Sequence, residues 1–139
     1  MKTRLRTSLA AATAGLWLLS LFLPALGNEG EKSVTGINIL IIGWLGISAG
    51  QFAWLGNLFL LVGVCLLTHS RPAVTWMNFV MAGLVLSVIS AAFFTQMPGT
   101  NHAVVTRGPG YYIWSASLLI LAISLLARVV AISESDSPD

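Results

Sequence analysis

The chain has 139 residues, of which 56% are hydrophobic and 9% charged, and its mean hydropathy is +0.85. A water-soluble domain carries about 25% charged residues, so this composition argues against a soluble globular fold. The net charge of +2 comes without any basic stripe, which argues against nucleic acid as a partner.

In chain order, Lys2, Arg4 and Arg6 precede a first apolar span at about 8–26, in which Pro24 bends or ends the helix. A cleaved signal peptide competes for this stretch, with "KTRLR" as its basic start and "ALG" before Asn28 as a cleavage site. The apolar run exceeds the usual signal core of roughly 7–15 residues, and that favours a retained span. The next segment, 35–50, "TGINILIIGWLGISAG", is apolar but short, and reads as an interfacial or re-entrant helix with Trp44 near the headgroups. A second span covers about 52–68. "HSRPAV" is a tight connector, with residues 69–72 as the loop, so the third span at about 73–96 runs antiparallel to the second. Pro98 and Gly99 close the third span, and Pro109 stands at the first turn of the fourth, about 110–132. Residues 133–139 read as a short acidic tail.

Basic residues set the expected orientation. With the N-terminus inside, Lys2, Arg4, Arg6, Arg71 and Arg128 are cytoplasmic, whereas Lys32 and Arg107 are outside. Arg128 would snorkel from near a span end. The expected fold is therefore a single all-α integral membrane domain over 1–139. It is a four-transmembrane-helix bundle, N-in/C-in, with outer loops 27–51 and 97–109. With no organelle signal in view, a plasma membrane or bacterial inner membrane is the expected location, crossed by multiple passes.

"TRGPGYYIWSAS" reads as membrane entry, not as an active site. Tyr111, Tyr112 and Trp114, with Trp54 and Trp44, form an outer aromatic belt, and Trp76 marks the inner one. Arg107 can meet lipid phosphate or pair with Glu29 or Glu31. Trp44, His102, Arg107, Tyr111 and Tyr112 are the candidate outer-face contacts.

Each span also carries one small, polar stripe. Ala53, Gly56, Asn57, Leu60, Gly63 and Val64 share a face, as do Gly83, Ser87 and Ser90. Ser117, Ser124, Ala127 and Arg128 share another, and Thr13 aligns with Ser20. Measured from the outer ends, Ser20, Asn57, Ser90 and Ser117 fall within about a turn of one depth, so they form a candidate intramembrane polar layer. Such residues serve as interhelical glue or as the lining of a polar niche, and serine can also bond back to its own helix.

Catalytic chemistry lacks its parts. His69 and His102 lie on opposite sides, no acid stands at ligand spacing, and the serines have no adjacent base. Cys65 is the lone cysteine and reads as a small apolar packing residue. No catalytic residue, metal or cofactor is expected. The functional expectation is a non-catalytic accessory subunit that meets membrane lipid and associates with another integral membrane protein or with itself. The alternatives are a homo-oligomeric channel or carrier for a small neutral solute, and an enzyme acting at the outer interface through His102, Arg107 or Tyr111.

Overall fold

The computed structural model of the chain describes residues 3–27, 33–49, 51–93 and 106–135. Helix α1, Thr3–Phe22, stops just short of Pro24, because a residue preceding proline is pushed out of the helical region. Helix α3, Leu55–Thr68, grows from a 3-10 turn at Phe52–Trp54. Helix α4, Val74–Ala92, starts just after Pro72, and helix α5, Pro109–Ser135, carries a proline at its first position, where no N–H is needed. The helices α1, α4 and α5 are long and apolar enough to cross a membrane. The stretch Phe52–Thr68 is shorter, about 26 Å at 1.5 Å per residue against roughly 30 Å of hydrocarbon.

Several expectations are corrected. The fold is not purely helical: β1 (Pro24–Gly27) pairs antiparallel with β2 (Val34–Thr35) on one side and β3 (Thr106–Arg107) on the other. Two loops rejoining one end of the molecule must satisfy their backbone groups, and a three-stranded patch does so. Leu26 faces Val34 and Arg107, and Gly27 faces Thr106. The segment 35–50 becomes α2 (Gly36–Ile42) followed by a 3-10 helix at Gly43–Ala49. The last helix runs on to Ser135, past the expected end at 132. The expected close of the third span at Pro98 and Gly99 lies outside the described residues.

The sheet marks one end of the molecule and the α3–α4 turn the other. Helix α5 lies against α1, α3 and α4, and α3 lies against α1 and α4. Their common core holds Leu60 and Leu67 from α3, Met77 and Leu84 from α4, and Leu118, Leu121 and Leu125 from α5, with Ala10 from α1. Close approach depends on Gly56: a Cβ there would lie 2.8 Å from Leu118, 3.0 Å from Ser87 and 3.0 Å from Trp114. Two helices crowd that point, so neither neighbour can yield without moving the other.

The distribution of polarity is inverted relative to a soluble domain. Thr13, Ser20, Asn57, Ser87, Ser117, Ser124 and Arg128 are buried, while Leu19, Phe22, Leu61, Phe79, Leu86 and Ile123 are exposed. In hydrocarbon this is the favourable arrangement, since polar groups need partners that only the interior supplies. Cys65 is also exposed, on the outward face of α3, which corrects its reading as a packing residue.

Candidate functional site

Asn57 sits in the first turn of α3, at the end of the molecule that carries the sheet, and is 7% exposed. Its Oδ1 accepts hydrogen bonds from two indoles, Trp17 Nε1 at 2.9 Å and Trp114 Nε1 at 3.1 Å. Its Nδ2 donates to the carbonyl of Trp54 at 3.1 Å. One amide thus ties α1, α3 and α5 together. Because both oxygen lone pairs receive indole N–H groups, the amide has one orientation only.

The serines behave differently from interhelical glue. Ser20 donates to Trp17 O at 2.6 Å and Ser117 to Trp114 O at 2.7 Å, each within its own helix. Ser87 donates to Gly83 O and Ser124 to Ile120 O, both at 2.7 Å. Back-bonding satisfies the hydroxyl where hydrocarbon offers no alternative. Of the expected layer, Ser20, Asn57 and Ser117 join one network through the tryptophans. Ser90 does not: it is half-buried, while Ser87, a turn deeper, takes the buried position on α4. The buried face of α4 runs through Met77, Val80, Leu84, Ser87 and Ala91, and Ser90 falls beside it.

Trp17 and the inward role of Trp114 were not anticipated. A signal exists in the sequence: "WLLS", "WLGN" and "WSAS" each place a serine or asparagine three residues after a tryptophan. In all three the polar side chain bonds to that tryptophan's carbonyl. Trp54 also departs from the expected belt role. Its indole donates to Leu40 O at 2.8 Å and fastens α2 to the start of α3.

Beside this cluster, between β1, α2 and the first turns of α3 and α5, lies a cavity of about 80 Å³. Leu21, Leu26, Ile39, Leu40 and Ala91 give it apolar walls, and Ser20, Gln51, Asn57 and Tyr111 contribute polar groups. Gly110 lets α5 enter here: a Cβ on it would meet Leu23 O at 2.8 Å and the carbonyls of Ser20 and Pro24 at 3.0 Å.

The outer-face candidates are spread over several surroundings. Trp44 and Tyr112 are exposed, whereas Tyr111 lines the cavity. Arg107 donates to Ala92 O at 2.8 Å, joining β3 to the end of α4, and its guanidinium lies 5.4 Å from the centre of the Tyr111 ring. That geometry suits a cation–π contact. His102, Glu29 and Glu31 lie outside the described residues.

At the opposite end Arg128 is 4% exposed, which corrects the expectation that it snorkels. Its Nη1 donates to Leu66 O at 2.6 Å and to Leu67 O, and its Nη2 to His69 O and, at 3.4 Å, to Ser70 O. The last carbonyls of a helix lack partners within it and carry the negative end of its dipole. A forked, permanently charged side chain from α5 meets both needs. Arg6 reaches the same place, with Nη1 3.5 Å from His69 O.

Among the described residues no group of three or more His, Cys, Asp or Glu side chains could hold a metal ion. What the arrangement offers chemically is one oriented amide at the edge of an apolar cavity and one buried cation holding a helix end. Compared with known proteins, the chain matches no family model, no curated protein and no solved structure.

Proposed function

We propose that the chain is a four-span, multi-pass protein of a plasma membrane or bacterial inner membrane, with both termini in the cytoplasm. The outward face of α3 supports the fourth crossing, because Leu58, Leu61, Val62 and Cys65 expose no charge to the surroundings. Its short length fits as well: Arg128 satisfies the end of α3 inside the protein, so this helix need not reach the water. Arg4, Arg6, Arg71 and Arg128 belong to the turn end and Arg107 to the sheet end, which makes the turn end cytoplasmic. On this reading α2 and the 3-10 helix after it lie along the outer interface. In a Cys65→Ala background, the thiol introduced by Asp136→Cys should react with an impermeant maleimide only after the cells are opened, and that introduced by Lys32→Cys before. The reverse pattern rejects the orientation.

The function we infer is non-catalytic: an accessory subunit that docks on another integral membrane protein. One observation carries this reading. Beneath the Asn57 cluster, Leu60, Leu84, Leu118, Leu121 and Leu125 close the interior, each at most 1% exposed, so the described residues of a single chain offer no polar path from end to end. Asn57 and Arg128 spend their hydrogen bonds on holding helices together, and the buried serines spend theirs within their own helices. The outward faces, broad and apolar, are left for lipid and a protein partner. Native mass spectrometry after gentle extraction should find a second membrane protein at fixed stoichiometry. A chain recovered alone, or only as a homo-oligomer, overturns the accessory reading.

A further inference from the structure

The cavity beside Asn57 has chemistry of its own. Among the described residues its lining includes no charged side chain. Asn57 Oδ1 is taken by two indoles, and Nδ2 gives one hydrogen to Trp54 O. The second Nδ2 hydrogen has no partner among the described residues. Held in this way, the amide cannot turn to present its oxygen, so it can donate to a ligand but not accept from one. An apolar pocket with a few convergent polar groups is the usual form of a small-molecule site.

We propose that this cavity binds an uncharged amphiphile, an apolar skeleton ending in a carbonyl oxygen that accepts the second N–H of Asn57. A charged headgroup would meet no counter-charge among the described residues and would lose its hydration. A plain hydrocarbon would fill the apolar part and leave the amide N–H unpaired. About 80 Å³ holds a few waters, at roughly 10–15 Å³ for each, or the carbonyl-bearing end of a larger molecule. The same carbonyl chemistry is available from an ester lipid of the bilayer and from a dispersed apolar ester or ketone. The site goes beyond the accessory role and does not depend on it.

The three tryptophans at the cluster provide the readout. In full-length protein carrying Trp44→Phe and Trp76→Phe, emission comes from Trp17, Trp54 and Trp114 alone. This protein, in nanodiscs of ordinary phosphatidylcholine, is titrated with methyl 8-bromooctanoate and with the oxygen-free 1-bromononane, each corrected for partition into the disc. The ester should quench with saturation, at roughly tenfold lower concentration than the bromoalkane, the worth of one buried hydrogen bond. Ala53→Leu adds bulk inside the cavity while leaving the Asn57 side chain and the tryptophans themselves unsubstituted, and should abolish saturable quenching by both. Asn57→Leu, where it folds, should erase the preference for the ester. Nanodiscs made from a chain-brominated ester lipid separate the two sources. Quenching there without added ligand, lost in Ala53→Leu, assigns the site to bilayer lipid, and its absence with saturable ester binding assigns it to a dispersed molecule. Equal affinity for ester and bromoalkane overturns the proposal, as does saturable quenching that survives Ala53→Leu, or no saturable quenching at all, which would leave the cavity to water. The assay uses the chain by itself, so failure here leaves the partner experiment unaffected.

Discussion

Asn57→Leu is expected to lower stability by about 2–3 kcal/mol, because it leaves two indole N–H groups without acceptors at upwards of about 1 kcal/mol each. Leucine is of similar size, so no large cavity opens, and its greater apolarity offsets part of the loss. The loss is polar in origin. Trp17→Phe and Trp114→Phe should each cost about 1 kcal/mol, because each removes one donor and leaves Asn57 Oδ1 with the other. In a double-mutant cycle, either tryptophan should show coupling to Asn57 of at least about 0.5 kcal/mol, which distant sites do not show. Reversible unfolding in mixed micelles, followed by tryptophan emission, measures the three single and two double variants. A neutral or stabilising Asn57→Leu would show that the three helices hold together without this amide.

Removal of the buried cation acts at the other end. Arg128→Met keeps the length and apolar stem of the side chain but leaves the carbonyls of Leu66 and Leu67 unpaired and that of His69 with Arg6 alone, at an expected cost of about 3 kcal/mol. Hydrogen bonds from a charged donor are worth more than neutral ones, and here one guanidinium serves several acceptors. Lysine restores the charge without the planar fork, so Arg128→Lys should recover roughly half of the loss. The effect is also local. The His69 amide, which donates to Cys65 O at 2.9 Å in the last turn of α3, should exchange its hydrogen more than tenfold faster in Arg128→Met. Amides near Asn57 should keep their protection. Unchanged exchange at His69 would show that α3 ends stably without Arg128.

The two ends together explain how a helix as short as α3 stays seated among longer ones. At its start the Asn57 amide engages indoles from α1 and α5, and at its finish Arg128 from α5 takes the carbonyls. Between the two anchors Gly63 lets it approach both α4 and α5 closely: a Cβ there would lie 2.8 Å from Leu121 and 3.3 Å from Val80. Each anchor lies on a different neighbour or at a different level, so a change at one leaves the other in place.

Hydropathy and proline punctuation alone locate the long helices. A run of apolar residues without charge is a local property, and a proline ends a helix by steric conflict with its immediate neighbours. Helical periodicity likewise singled out Asn57 and the buried face of α3. The small sheet was not legible, since strands of two to four residues are too short to show an alternating pattern. Nor was the choice of hydrogen-bond partners. A tryptophan near a span end reads equally as a lipid anchor or as an inward donor, and an arginine there as snorkelling or capping. Only the tertiary structure decided between these, because the indole partners of Asn57 lie 40 and 57 residues away and the carbonyl partners of Arg128 lie 58 to 62 residues away. A side chain's turn toward water or toward another helix depends on what the fold brings beside it, and no local pattern of residues contains that information.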